Sequence, residues 1–282
     1  MDFKITYDGY KKVVEDYFKV NFESLLGDNT LDRAILYAFS GGGKRIRPTL
    51  MVATADYLKV DYDKILHYAL YLESVHIHSL IHDDLPALDN DTMRRGKPCV
   101  HIKFGDDIGV LAGDALLNMA YKNCLKFLSH PDDFKVLSYL SSCTDKMLHG
   151  QALDTRFTKD ISSINNLKFE QLVEIYKNKT SALITAAILT PLIIAKRTDL
   201  IDDFTLLGEK LGLLFQITDD LIDFNANFEV ESTEPNIVTL FGLNKAIQFK
   251  LDLQNECNKI ADKYSDFTFI KLFIEYVTGR AF

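Results

Sequence analysis

Two clusters of aspartate are the residues in this sequence best suited to chemistry: Asp83-Asp84 with Asp89, and Asp219-Asp220 with Asp223. Around the second cluster, Gly208, Gly212, Gln216, Asp219, Asp220 and Asp223 follow steps of four and three, which predicts one stripe along a single helix face. Leu213, Leu214, Ile217, Leu221 and Ile222 fill the rest of that helix. Three carboxylates on the inward side of an apolar helix repel one another, and each carries a desolvation cost of several kcal/mol unless cations accompany it. Mg²⁺, a hard cation that prefers oxygen ligands, is the natural counter-ion. The ordinary alternative is a helix cap or a solvated acidic corner.

The first cluster closes another helical stretch, HSLIHDDLPALDNDTMRRGKP, in which His76 and Leu80 stand seven and three residues before Asp83 and share its face. Asp83 and Asp89 are six residues apart, about 240° around an ideal helix, so they can serve one metal region only if the helix is distorted. Pro86 between them supplies a distortion. Arg94 and Arg95 follow closely, and paired guanidinium groups suit phosphate oxygens. A surface network in which the arginines simply pair the acids is the competing reading. A third basic element, GGGKRIRP, places Lys44, Arg45 and Arg47 at a glycine-rich helix start, where backbone N–H groups and side chains can meet an anion. Its spacing is not that of a P-loop, and a solvated basic turn is the alternative. His78 and His82, four apart, have no nearby Cys or third His to complete a metal site.

The elements that must position these groups are helical. Apolar residues recur at helical rather than alternating spacing nearly throughout, with only 14 Gly and 6 Pro. The pattern predicts about ten helices and no sheet, over 8–25, 29–42, 46–58, 62–84, 105–129, 131–152, 168–197, 201–225, 237–263 and 266–279. No Pro/Gly/Ser-rich linker divides them, so the expectation is one large all-α domain over residues 1–282. A net charge of −8 and a pI near 5.4 argue against a nucleic-acid surface. Cys99, Cys124, Cys143 and Cys257 show no CxxC spacing, which fits a reducing cytoplasm rather than a zinc or disulfide framework. The longest apolar run, Ser181 to Ala195, is too short to span a bilayer and contains Pro191, so no stable membrane insertion is expected.

Taken together and in order, GGGKRIRP, HSLIHDDLPALDND with RRGKP, HGQALD, KTSALI and FQITDDLID resemble the trans-isoprenyl diphosphate synthases, notably the bacterial farnesyl and geranylgeranyl type, from about residue 25 onward. Five motifs in register are specific where any one of them is not. The resemblance implies a bundle of ten or more helices around a central cavity, a homodimer, and two Asp-rich helices facing each other across that cavity. It assigns Lys44, Arg47, His76 and Arg95 to isopentenyl diphosphate, and Arg94, Lys179, Thr180 and Gln216 to the allylic diphosphate. Asp83 and Asp89 match the ligands of two Mg²⁺, and Asp219 with Asp223 those of a third, about three ions per active site. Asp84 and Lys179 join Asp83, Asp89 and Asp219 in the catalytic group. The implied reaction ionises the allylic diphosphate, adds isopentenyl diphosphate to the carbocation and loses a proton to the departed diphosphate, with no protein general base. His78, about 7.5 Å down the helix axis from Asp83 at 1.5 Å per residue, occupies the position implied to limit chain length. Imidazole is intermediate in size there, which favours a C15 product over C20.

One segment departs from the family pattern. After Asp223 the family continues with a lysine-bearing loop and a second lysine, whereas no Lys or Arg occurs here from Asn225 to Leu243, and Glu234 aligns with the second lysine. Each lost charge-assisted contact is worth about 1.5–3 kcal/mol. Lys245 is a candidate replacement. The departure keeps open a weakly active or non-catalytic subunit that binds prenyl diphosphates. A class I terpene cyclase is disfavoured because GGGKRIRP and His76 would supply a second diphosphate site that a cyclase does not need. Arg280, near the position of a basic residue in the family, receives no assigned role.

Overall fold

Apolar side chains at helical spacing fold as expected: the computed structural model describes residues 2–23, 26–159, 167–226 and 235–280, and they are helical almost throughout. The α-helices are α1 (Phe3–Glu23), α2 (Thr30–Phe39), α3 (Ile46–Leu58), α4 (Leu66–Asp83), α5 (Val100–Phe104), α6 (Asp106–Leu125), α7 (Pro131–Lys159), α8 (Phe169–Tyr176), α9 (Ala182–Ile194), α10 (Ile201–Ala226), α11 (Ile237–Phe241), α12 (Leu243–Lys263) and α13 (Thr268–Thr278). The chain divides into two compact units, residues 7–137 and residues 1–6 with 138–282. No helix among the described residues is long and apolar enough to cross a membrane.

The expectation of no sheet is corrected by a small antiparallel hairpin in which β1 (Met93–Arg94) pairs with β2 (Lys97–Pro98). Its two turn residues, Arg95 and Gly96, have φ of 52° and 73°, the left-handed pair that joins two strands with the correct twist. Two expected helices are also interrupted. The stretch 168–197 contains a π-helical turn at Lys177–Ser181 between α8 and α9. The stretch 237–263 breaks at Gly242, whose φ of 88° separates α11 from α12.

In the unit of residues 7–137, α4 is buried on most of its circumference and packs on α3 and α6. Gly113 of α6 makes that approach possible, because a Cβ there would collide with the His82 ring. The glycine-rich segment before α3 is anchored by Arg45, which takes φ of 51° and turns its side chain inward. Its guanidinium donates to Glu73 Oε1 at 2.7 Å, Glu15 Oε1 at 2.9 Å and the Phe39 carbonyl at 2.6 Å, and lies against the Phe39 ring. Arg45 and Glu73 are each 2% exposed in their side chains.

In the other unit, α9 is apolar nearly all round and buried from Ala182 to Leu192, and α10 packs on both α9 and α12. The close approach is made by glycine. A Cβ on Gly208 would stand 2.8 Å from the Thr185 Cα, and one on Gly212 would collide with the Ser181 Cα. The glycines of the sequence stripe therefore serve helix packing, and the polar residues beyond them follow from it.

Two predictions concern stability. Glu73→Ala leaves the buried Arg45 guanidinium short of its main charge partner and should cost about 3–5 kcal/mol in denaturant unfolding. At the start of α4, His67 is buried with its ring centroid 3.9 Å from that of Tyr68 and 4.8 Å from that of Phe127, and burial lowers its pKa to about 4. Because the folded value lies below the unfolded one of about 6.5, the associated stability is complete above pH 6.5 and is lost as the pH falls toward 4, by about 3 kcal/mol. His67→Phe should flatten the dependence of melting temperature on pH in that window.

Candidate active site

In the unit of residues 7–137, α4 ends at Asp83, and Asp84 caps it with its backbone N–H on the Leu80 carbonyl. The chain then curls back through Pro86, and the Asp89 N–H donates to the Asp83 carbonyl at 2.9 Å. This i to i+6 closure is the distortion that the spacing requires, and it brings the Asp83 and Asp89 backbones into contact. Asp89 is exposed and Asp83 partly so. Asp84 is 3% exposed and its carboxylate is committed inward. Arg94 grips Asp84 Oδ1 through both Nε, at 2.8 Å, and Nη2, and also reaches Asp91 at 2.8 Å. The Cys99 thiol donates to the same carboxylate, and burial and that charge push it up to about 12, so it stays protonated.

Arg95 behaves differently from Arg94. It sits in the hairpin turn and donates through Nη1 to the Gly42 carbonyl, while the Gly43 Cα approaches the guanidinium so closely that a Cβ would lie 2.6 Å from Nη1. Gly43 also has a φ of 126°, so glycine is required twice over. Two separate sequence motifs thus meet: the glycine segment and the second arginine of the RRG turn. The loop is fixed from beneath by the Tyr7 hydroxyl, which donates to the Lys44 carbonyl at 2.5 Å, and by Lys11, which donates to the Gly43 carbonyl at 2.9 Å. Lys44 is exposed and Arg47 half-buried. His76 is held neutral, its pKa lowered first by burial and then by Arg47, Arg95, Arg45 and Arg94. Four guanidinium groups thus act on one imidazole, two of them, Arg45 and Arg94, paired with carboxylates of their own. Lower on α4, His78 is buried, with Nδ1 3.0 Å from the Gly113 carbonyl and its ring packed edge-on against that of His82.

The second centre lies in the unit containing residues 138–282. The π turn at Lys177–Ser181 carries Lys179 and Thr180. Lys179 donates to Asp154 at 2.5 Å, and Gly150, one turn before Asp154 on α7, lets the π backbone pass against the helix. Thr180 donates to Gln216 Oε1 at 2.7 Å, and Gln216 donates in turn to Asp220 Oδ1 at 2.9 Å. Asp220 also accepts from the Tyr176 hydroxyl at 2.6 Å and the Ile237 N–H at 3.4 Å. Burial pushes the Asp220 carboxyl up to about 6 against the pull of those three donors. Asp219, by contrast, is partly exposed and pairs with Arg280 at 2.5 Å. Asp223 is exposed along one side, and desolvation raises its pKa while Arg280 lowers it. Lys245, the candidate replacement cation, lies over the rings of Phe169 at 4.0 Å and Phe241 at 4.9 Å. Glu234 lies outside the described residues.

Sequence spacing missed Tyr176, Asp154 and Cys99 as partners of the charged groups. Gly150 and Asp154 stand four apart in HGQALD, a signal that one helix face serves the π turn. Tyr176 and Cys99 carry no such signal, since only tertiary contact brings them to an aspartate. Among the described residues no three His, Cys, Asp or Glu side chains converge into a cage for a metal. The oxygen donors come one or two at a time, which suits Mg²⁺, a cation commonly held by one or two carboxylates and completed by water and phosphate.

Comparison with known proteins agrees with this chemistry. Residues 28–234 match the model of the polyprenyl synthetase family. Farnesyl diphosphate synthase of Micrococcus luteus is 36% identical over 86% of this chain and 87% of its own length. Geranylgeranyl diphosphate synthase of Cyanophora paradoxa is 38% identical over 76% of this chain and 71% of its own. The crystal structure of geranyltransferase from Helicobacter pylori, complexed with magnesium and isoprenyl diphosphate, superposes with a TM-score of 0.83 at 27% identity, covering 97% of this chain and 95% of that one. With a family model spanning most of its length and a fold shared with a solved member, this chain belongs to the polyprenyl synthetase family.

Proposed function

We propose that this prenyltransferase condenses isopentenyl diphosphate with the allylic dimethylallyl and geranyl diphosphates, giving mainly farnesyl diphosphate, and that residues 1–282 act as one synthase domain. The observation that carries the reading is the positive cradle of Gly42, Gly43, Arg47, His76 and Arg95 in the same unit as an acid cluster whose outer members, Asp83 and Asp89, are drawn together by a backbone hydrogen bond. Anion seat and metal ligands together suit a diphosphate substrate better than either does alone.

In this reading Lys44, Arg47, His76 and Arg95 hold isopentenyl diphosphate. Neutral His76 donates a hydrogen bond without adding charge. Arg94, Lys179, Thr180 and Gln216 hold the allylic diphosphate. Their contacts with Asp84, Asp154 and Asp220 keep them preorganised, so little reorganisation accompanies binding. Asp83, Asp89, Asp219 and Asp223 would hold Mg²⁺, about three ions in all, which when bound neutralises the departing diphosphate. The apolar residues around His78 shelter the growing chain from water. The proton released at the end goes to the departed diphosphate rather than to a side chain. A homodimer in the cytoplasm belongs to the same reading, supported by the family resemblance and by four cysteines that are buried and free. The absence of Lys and Arg from Asn225 to Leu243 favours, as the second reading, a weakly active or non-catalytic subunit that binds prenyl diphosphates.

Incubation with Mg²⁺, isopentenyl diphosphate and each of the C5, C10 and C15 allylic diphosphates separates the readings. Elongation from the C5 and C10 substrates to C15 is the expected outcome, retained binding without turnover would establish the subunit, and cyclic hydrocarbons a cyclase. The two adjacent aspartates should also differ. Asp83→Asn should lower kcat about a hundredfold with little change in stability, whereas Asp84→Asn should cost about 2–3 kcal/mol in unfolding because it removes the buried carboxylate that Arg94 and the Cys99 thiol share. His78→Ala should move the product profile beyond C15, read by chromatography of the dephosphorylated alcohols.

A further inference from the structure

One face of α1 holds the glycine segment residue by residue. Tyr7, Lys11 and Glu15 follow steps of four in the sequence and so stand one above another on that helix. They meet three consecutive residues of the segment. The Tyr7 hydroxyl donates to the Lys44 carbonyl at 2.5 Å, Lys11 Nζ donates to the Gly43 carbonyl at 2.9 Å, and Glu15 accepts from Arg45 Nε at 2.9 Å. Arg95 takes the carbonyl one step earlier in the chain, that of Gly42.

The segment needs outside partners. Gly42, Gly43 and Arg45 have φ of 78°, 126° and 51°, so the chain here forms no helical turn that could satisfy its own carbonyls. No backbone N–H among the described residues donates to the carbonyl of Gly42 or Gly43. Pro48, four residues after Lys44, has no N–H to return to the Lys44 carbonyl. In a trans peptide the carbonyl and the N–H that follows it point in opposite directions, so a held carbonyl also fixes an N–H. Lys11 thereby fixes the N–H of Lys44, and Tyr7 that of Arg45. Lys44 stands between two peptide planes that are both held from α1, which sets the direction in which its exposed side chain leaves the backbone.

We propose that Tyr7 and Lys11 are positioning residues for isopentenyl diphosphate: they hold the peptide planes on either side of Lys44, so that its ammonium group and the N–H groups of Lys44 and Arg45 stay turned to the diphosphate. Both act through the glycine segment rather than on the substrate. The inference rests on the reading that Lys44, Arg47, His76 and Arg95 hold isopentenyl diphosphate, and its test fails separately from that reading.

Calorimetry on the full chain, with isopentenyl diphosphate and separately with geranyl diphosphate and Mg²⁺, reads the effect without requiring turnover. Tyr7→Phe removes one oxygen and no charge, and should weaken isopentenyl diphosphate binding about five- to tenfold while leaving geranyl diphosphate binding unchanged. Lys11→Met should do the same. Lys12→Met removes an equal charge from the exposed side of α1, where Lys12 pairs with Asp16, and should bind as the parent does. Binding of isopentenyl diphosphate at the parent's strength by Tyr7→Phe or Lys11→Met overturns the proposal. Equal weakening of both ligands also overturns it, since a general loss of stability has that effect. A loss in Lys12→Met as large as that in Lys11→Met overturns it for Lys11, whose contribution would then be charge alone. Should Tyr7→Phe fail to fold, Lys11→Met set against Lys12→Met decides. Arg47→Gln tests the underlying assignment: if the parent binds no isopentenyl diphosphate, or if Arg47→Gln binds it as the parent does, that assignment falls and the inference with it. A loss in Arg47→Gln with none in Tyr7→Phe and Lys11→Met keeps the assignment and rejects the role of α1.

Discussion

A carboxylate taken out of water must be given donors or a cation, and this constraint shapes both aspartate clusters. Each answers it by dividing its acids. Asp84 is sunk beneath the surface and satisfied by Arg94 and Cys99, and Asp220 by Tyr176, Gln216 and the Ile237 N–H. Their neighbours Asp83 and Asp219 keep access to solvent. Adjacent residues on a helix point about 100° apart, so a DD pair naturally places one acid inward and one outward. The inward acid orients the groups around it, and the outward one keeps its carboxylate within reach of solvent. Adjacent aspartates in both clusters are therefore two parts with different duties rather than a doubled charge.

The same economy governs the glycines. Gly208 and Gly212 bring the backbone of α10 onto the Thr185 and Ser181 segment, and Gly150 brings α7 onto the π turn. Thr180 and Gln216 can bond only because those backbones are in contact. Near the hairpin, Gly43 yields its Cβ space to the Arg95 guanidinium. In each case a missing side chain lets a polar group from another segment reach its position, and the polar contact is as much a product of packing as of chemistry.

Much of this was legible in the sequence. Helical spacing gave the all-α class and most helix bounds, and the order of five motifs gave the family. The break near Pro86 followed from geometry alone, because two acids six residues apart cannot share a region on an intact helix. What remained hidden depends on contacts between distant segments. Periodicity over 168–197 reads as one helix, since a single extra residue scarcely disturbs an apolar run as uniform as ALITAAILTPLII. The hairpin at Met93–Pro98 is too short to carry an alternating pattern. Tyr176, Cys99 and Arg280 meet their aspartates from 44, 15 and 61 positions away, separations at which spacing carries no information. Arg45 looked like a third member of a basic anion seat, yet Glu73 draws it into the core, and only burial distinguishes it from Arg47.

The π turn at Lys177–Ser181 has a bearing on how the sequence can vary. A π turn is an α turn with one residue inserted, so the helix before it is rotated by about 100° relative to the frame that the helix after it would otherwise set. Removing one residue anywhere in the turn would restore a continuous α-helix and rotate α8, withdrawing Leu172, Ile175 and Tyr176 from the core, while α9, apolar on every side, would be indifferent. The segment is thus constrained in length more strictly than in composition. An exchange at Lys179 or Thr180 would remove one polar contact, whereas a single deletion would uncouple Tyr176 from Asp220 and carry Lys179 away from Asp154 in one event.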